Sequence, residues 1–293
     1  MNFRGLRIAF LGLALGLPAL PALAADCGSG PGGFPAWMAR FKKAAAAEGI
    51  SQQAIDSALS GVGYSSRVIS LDRNQHSFKL SFEAFYARRV SNSMINQGRN
   101  WISSNPSLAA RIEKQFGVPA AVVVSIWGLE TNYGANSGSM PIFPSLATLA
   151  YDCRRSDFFR GHLLSALRIV ERGDMRPSQM HGAWAGEIGQ TQFMATAYEK
   201  YAVDFDGNGR RDLINSDADV LASTASYLKG YGWQAGGSWK PGSHNWQVLH
   251  EWNKAEVYVK TIAVMAEKMA SGKAIGGGSG RSAGSARSSS LDL

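Results

Sequence analysis

Apolar positions recur at helical spacing along most of the chain. Phe34, Trp37, Met38 and Phe41 fall on one side of a first helix within residues 34–61. A second short helix follows Gly49, with Ser51 as its N-cap and Ile55, Ala58 and Leu59 facing inward. The pattern then predicts a single helix over 76–97, with Phe78, Phe82, Phe85 and Tyr86 along one side, and further helices over 106–115 and 119–132. Helical spacing returns over 158–172, 191–202, 217–230 and 244–270. Alternation of the strand kind is scarce and no internal repeat occurs, so the expectation is an all-α domain. Between two of these helices, "GYGWQAGGSWKPGS" (230–243) reads as a loop that offers Trp233 and Trp239 on a flexible backbone.

The two ends depart from this pattern. Residues 1–25 carry Arg4 and Arg7, an apolar run from Ile8 to Leu17, then Pro18 and small residues up to Ala24 and Ala25. That is the layout of a cleaved secretory signal; the run is short for an uncleaved anchor. Residues 271–293 are rich in glycine and serine with almost no apolar content, as expected of a flexible tail. The folded body is therefore expected over 26–270, and no span of about 20 apolar residues follows the signal.

Composition refines this picture. Hydrophobic residues make up 45% of the 293 and charged ones 18%, which suits a globular core. The net charge of +8 falls to +6 without Arg4 and Arg7, and to +4 once Lys273, Arg281 and Arg287 are set against Asp292. A charge so mild and diffuse does not point to nucleic acid, and it suits an anionic polymer outside the cytoplasm. The two cysteines, Cys27 and Cys153, most simply form one disulfide in an exported chain. A lipid on Cys27 or two free buried thiols are the alternatives.

Three stretches carry candidate chemistry. In "SIWGLETNYG", within the helix that starts near Pro119 and stops by Gly134, Val123, Ile126, Trp127 and Glu130 share one face. If that face is buried, Glu130 loses hydration and holds its proton to higher pH, as an acid that cleaves an acetal must. The same spacing also suits a glutamate at a helix end, half exposed or paired with an arginine. In "GAWAGEIGQTQFM", glycine-flanked backbone beside Gln190 and Gln192 supplies neutral donors and acceptors suited to sugar hydroxyls and acetamido groups. In "DFDGNGRRD", Asp204, Asp206, Asn208, Gly209, Arg210 and Asp212 take positions 1, 3, 5, 6, 7 and 9 of an EF-hand-like loop. Asn215 stands at position 12 in place of the usual glutamate, with Asp217 and Asp219 just beyond; an acidic turn with no ion is the alternative.

Taken in order, "SIWGLETNYG", "YDCRRSDFF", "GAWAGEIGQTQFM", "YAVDFDGNGRRDL" and "STASYLKGYGW" resemble the lytic murein transglycosylase B family over roughly residues 34–270. The resemblance implies a lysozyme-like helical domain that cleaves the MurNAc–GlcNAc β-1,4 bond of peptidoglycan in the periplasm, acting as a monomer. It puts the catalytic acid on Glu130 and substrate contacts on Gln192, Tyr227, Trp252, Asn253 and Tyr258, with Tyr86 beside them. Arg154 and Arg155 match a pair suited to the acidic peptide stems of the glycan. A structural calcium or sodium ion falls on Asp204, Asp206, Asn208, the Arg210 carbonyl and Asp219, and no cofactor is implied for the chemistry. Two positions depart from the family: Ala183 replaces a serine near the catalytic acid, and Ala195 replaces a proline.

No second carboxylate is tied to these motifs strongly enough to make the usual glycosidase pair, Glu187 and Asp152 being the nearest in sequence. The resemblance therefore implies a one-carboxylate reaction that ends in a 1,6-anhydro sugar. A hydrolytic muramidase on the same fold and a non-catalytic wall-binding scaffold are the alternatives.

Overall fold

The structure is a computed structural model, described here for residues 27–74 and 80–271. Six helices pack in the N-terminal part: α1 (Phe34–Ala47), α2 (Gln52–Leu59), α3 (Ser66–Arg73), α4 (Phe82–Arg89), α5 (Asn92–Ser104) and α6 (Pro106–Phe116). They are followed by α7 (Ala120–Thr131), α8 (Ile142–Tyr151), α9 (Ser156–Glu171), α10 (Ala195–Tyr201), α11 (Asp217–Gly230), α12 (His244–Trp252) and α13 (Glu256–Ala270). The only sheet among the described residues is the two-residue antiparallel pair β1 (Met140–Pro141) and β2 (His181–Gly182).

At the centre lies α7, which packs against α13, α5, α11 and α6. Every residue from Ala120 to Leu129 is buried, so the helix has no solvent face, and Glu130 is its one residue that keeps partial exposure. Pro119 stands just outside the first turn as the N-cap, and the helix stops at Asn132, whose left-handed φ of 52° turns the chain. The stop thus comes two residues before Gly134.

Several predicted helices are shorter or divided. In place of one helix over 76–97 there are α4 and α5, because the Ser91 hydroxyl accepts from Met94 N and starts a new N-terminus. Phe78 lies outside the described residues, as do residues 1–25 and the tail beyond Ser271. Over 191–202 only α10 is helical, and the stretch before it is a tight turn. Over 244–270 the chain breaks after Trp252, where Asn253 Oδ1 accepts from Ala255 N at 2.9 Å and α13 begins anew. The expected exposed tryptophans of 230–243 are instead packed: Trp233 is buried and donates to Gly117 O at 3.0 Å, and Trp239 packs against the core.

Cys27 and Cys153 are joined in a disulfide. Gly28 N donates to Tyr151 O at 2.9 Å, and a Cβ at Gly28 would lie 2.3 Å from the Tyr151 hydroxyl. Glycine is needed for this approach. The link closes a loop of 126 residues, worth on the order of 4–5 kcal/mol in chain-entropy terms.

Candidate active site

A cleft of ≈ 720 Å³ runs between α3, α9 and α10 on one side and the ends of α7, α11 and α12 on the other. Glu130 lines it, as do Gln192, Tyr227, Trp252 and Asn253. Trp252 Nε1 donates to Glu130 Oε1 at 2.9 Å, and the Tyr258 hydroxyl donates to the same oxygen at 2.5 Å. These partners lie 122 and 128 residues from Glu130 in sequence, and the break between α12 and α13 is what lets both reach it.

Burial drives the Glu130 pKa up, while the donors Tyr258 and Trp252 and the charge of Arg89 pull it down; burial wins. The carboxyl therefore keeps its proton above the ordinary carboxylate range. With two donors already on Oε1, the proton belongs on Oε2. Tyr258 is itself buried beside Glu130, and burial first and the carboxylate second push its pKa well up, so it stays a donor. Arg89, which the sequence reading missed, also lines the cleft and donates to the carbonyl of Leu129 at 2.7 Å.

The turn that carries the two glutamines is closed by a pair of backbone hydrogen bonds between Ile188 and Phe193, at 2.7 and 2.9 Å. Gly189 sits at φ 75°, and a Cβ there would approach Leu213 O to 2.3 Å. Gln192 is itself left-handed (φ 54°). Its amide nitrogen donates to Gly189 O and Ser137 O at 2.8 and 3.1 Å, which leaves its carbonyl oxygen as the acceptor it offers to the cleft. Gln190 is buried instead and takes the indole N–H of Trp127 at 2.7 Å.

Tyr227 donates to the carbonyl of Glu251 at 2.7 Å and packs edge-on against Trp252 (5.0 Å) and Tyr201 (5.0 Å). Tyr231 completes the group at 4.7 Å from Tyr227 and is 41% exposed in the cleft. The i, i+4 spacing of Tyr227 and Tyr231 was the signal for this second tyrosine. Phe158 (51% exposed) and the buried His162 line the same cleft, and nothing in the sequence pattern singled them out. Ala183 lines it too, so one of the two residues that depart from the family faces the cleft, while Ala195 is buried outside it.

Other predicted residues stand elsewhere. Tyr86 accepts from Lys268 Nζ at 3.0 Å and does not line the cleft. Arg154 and Arg155 converge with Arg73 on the buried Asp72, and Arg73 also binds both oxygens of Asp152. Burial alone raises the Asp72 pKa, and the guanidiniums of Arg155 and Arg154 outweigh it, leaving the carboxyl below its ordinary range. Asp152, one candidate second acid, is thus spent on an ion pair. Glu187 is buried in the cleft wall.

Carboxylate oxygens of Asp204, Asp206 and Asp219 lie within 4.8 Å of one another. Asp219 anchors the loop: Oδ1 accepts from Phe205 N and Asp206 N, and Oδ2 from Asp212 N. Asn208 Oδ1 accepts from Arg210 N, keeping both residues in the same turn. Asp217 is turned away, toward the indole of Trp101.

Residues 33–243 match the family described as transglycosylase SLT domain. Membrane-bound lytic murein transglycosylase B of Escherichia coli (strain K12) is 38% identical over 122 residues, 41% of this chain and 34% of that protein. The match thus spans about a third of the curated relative. SltB3 from Pseudomonas aeruginosa, solved in complex with NAG-NAM-pentapeptide, has a TM-score of 0.77 at 31% identity, covering 82% of this chain and 80% of that one. Slt35 of Escherichia coli, solved in complex with calcium, has a TM-score of 0.71 at 22% identity over 80% of this chain and 92% of that one, a likeness of fold. The expected all-α, lysozyme-like architecture is the architecture of these neighbours.

Proposed function

The chain belongs to the transglycosylase SLT family, and on that premise we propose that it cleaves the MurNAc–GlcNAc β-1,4 bond of peptidoglycan. The observation that carries the reading is the setting of Glu130: a carboxyl in a cleft wall whose pKa burial raises, with two neutral donors on one oxygen. In the first step Glu130 Oε2–H gives its proton to the glycosidic oxygen as the C1–O bond breaks. The substrate's own groups stabilise the oxocarbenium-like centre. The Glu130 anion, now held by Tyr258 and Trp252, takes the proton of the MurNAc 6-hydroxyl as that oxygen closes on C1. The product is a 1,6-anhydro sugar and no water is consumed. One group serves as acid and then base, which microscopic reversibility permits.

The remaining cleft residues are assigned to positioning. Gln192 offers a carbonyl oxygen, Tyr227 and Trp252 an aromatic wall, and Asn253 the backbone break that brings Trp252 and Tyr258 to Glu130. Arg154 and Arg155, about 43% and 28% exposed while paired with Asp72, keep donors for the acidic peptide stems. We place the chain outside the cytoplasm, a location its disulfide and its Arg-led apolar N-terminus support, and read it as a monomer. No helix among the described residues is long and apolar enough to cross a membrane.

We assign a calcium or sodium ion to Asp204, Asp206, Asn208, the Arg210 carbonyl and Asp219. Three carboxylates so close repel unless a cation joins them, and oxygen donors of this kind suit a hard ion. Its contribution is to hold the loop before α11.

Muropeptide mass analysis after digestion of purified wall tests the reaction. Anhydro ends, each lighter by one water than a hydrolysed end, are expected, and Glu130→Gln should lower lysis by roughly 10²–10⁴-fold. Hydrolysed ends would establish a muramidase. Undiminished lysis by Glu130→Gln would remove Glu130 from the chemistry.

A further inference from the structure

A second concavity, of ≈ 460 Å³, lies where α5, the end of α7 and the start of α11 meet. Its residues do not line the cleft. Trp127 and Gln190 form its buried floor. Trp101 and Tyr133 stand upright on the Trp127 ring, at interplanar angles of 84° and 90° and centroid distances of 5.6 and 5.3 Å. Both are half buried, so each keeps surface toward the hollow. The exposed side chains of Gln97 and Asn132 form its rim.

The polar groups of the floor and walls are already spoken for. Trp127 Nε1 donates to Gln190 Oε1, Trp101 Nε1 to Asp217 Oδ2 at 3.2 Å, and the Tyr133 hydroxyl to Met94 O at 2.6 Å. What the walls can offer a ligand is therefore aromatic surface, and what the rim can offer is two neutral amides. No lysine or arginine lines the hollow, and its one ionisable carboxylate, Asp217, disfavours an anion. Aromatic surface with a few neutral donors and acceptors is the chemistry of a sugar ring and its acetamido group. The volume is within the range of small-ligand sites.

The backbone here is held in an uncommon form. Asn132, Tyr133 and Gly134 are left-handed in succession, at φ 52°, 58° and 83°. Such conformations are unfavourable in residues other than glycine and persist where the surroundings enforce them. A Cβ at Gly134 would lie 2.3 Å from Gln190 Oε1, and one at Gly128 would lie 2.8 Å from the Tyr133 ring. The turn is thus pressed directly onto the floor of the hollow, and it is what makes Tyr133 a wall.

We propose that this hollow is a second carbohydrate site, binding an N-acetylated pyranose of a β-1,4 glycan and separate in its lining from the cleft. Trp127 precedes Glu130 by three residues and Gln190 precedes Gln192 by two, so the floor of one site and the wall of the other share α7 and the 186–194 turn. The choice of ligand rests on the glycan reading of the cleft; the existence of the hollow does not.

The test is a titration of the Glu130→Gln protein with tri-N-acetylchitotriose, followed by NMR at the indole N–H of Trp101, Trp127 and Trp252. Trp101 and Trp127 are expected to shift together with a saturation curve separate from that of Trp252. Gln97→Phe, which fills the mouth from an exposed position, should abolish the Trp101 and Trp127 response and leave that of Trp252. Asn132→Gly keeps the left-handed backbone, removes one rim amide, and should weaken the second site several-fold. Still Trp101 and Trp127 signals, or a response that survives Gln97→Phe unchanged, would overturn the proposal. Shifts at Trp101 and Trp127 with Trp252 silent would uphold the second site and count against the glycan reading of the cleft.

Discussion

At the scale of the residue, the chemistry rests on how Glu130 is held. Its environment contains opposing influences: burial favours the neutral acid, and Tyr258 and Trp252 favour the anion. Removing a donor should therefore shift the balance in a known direction. In Tyr258→Phe the anion loses a charge-assisted hydrogen bond, and the Glu130 pKa rises further. The alkaline limb of the kcat/KM profile, where the acid loses its proton, should move up by about 1 pH unit, and kcat should fall about tenfold because the second step needs a stabilised anion. A profile that moves down or stays in place would deny Tyr258 this role. The sequence made Glu130 visible, although through an incomplete argument. A 3-1-3 spacing suggested one buried face, whereas α7 is buried around its whole circumference and Glu130 alone keeps an opening. Half exposure and an arginine nearby, the alternative reading of the same spacing, describe Glu130 as well. Trp252 and Tyr258 were legible only by resemblance, since no local pattern links positions more than 120 residues away.

At the scale of the element, periodicity found the helices and misjudged where they stop. A serine cap divides 76–97 and an asparagine turn divides 244–270, and both interruptions leave the apolar spacing nearly continuous. The α3 and α8 helices went unread: α8 is buried almost throughout and carries no polar face, and α3 is eight residues long and buries only Val68 and Asp72. The packing of α9 on α10 gives a measurable consequence. Thr196 N donates toward His162 Nδ1 at 3.4 Å, with Thr196 Oγ1 3.1 Å from the same nitrogen, and burial lowers the His162 pKa from 6.5 to about 4. Burial thus favours the neutral imidazole in the folded protein. Below pH 6.5 the unfolded chain binds a proton that the folded chain refuses, so stability falls as pH drops from 6.5 toward about 4. His162 should account for a loss on the order of 2–3 kcal/mol across that window. Urea melts at pH 7 and pH 4.5 should differ less in His162→Gln than in the parent; an equal difference would assign the acid sensitivity to other groups.

At the scale of the whole molecule, three of the connections that tie distant segments bear on what the sequence showed: the disulfide, the Asp72 arginine cluster and the loop before α11. The first was legible from the two cysteines and an N-terminus that reads as a secretory signal, and its lipid and free-thiol alternatives fall with the bond. The second was not, since Arg154 and Arg155 announced cations without announcing the buried carboxylate, 82 and 83 residues upstream, that holds them. The third was half legible: Asp204, Asp206 and Asn208 showed the loop, while the closing group had two candidates. Spacing left both open and the resemblance named Asp219; in the fold Asp219 returns to the loop and Asp217 faces Trp101. Burial raises the Asp219 pKa, with backbone N–H donors opposing and Asp206 adding to the rise, so the trio is least comfortable when all are ionised and no cation is present. A cation relieves that repulsion in the folded state alone. Chelation should therefore lower the thermal midpoint by about 5–10 °C, given about 2–3 kcal/mol of linkage at saturating ion and a domain of this size. Asp204→Asn should make the melt largely insensitive to the chelator. Activity assayed well below both transitions should change little, because the loop supplies none of the groups around Glu130. A calcium titration of the chelated protein that leaves the melting curve in place would remove the ion from the account, and with it the reason for three carboxylates to share one turn.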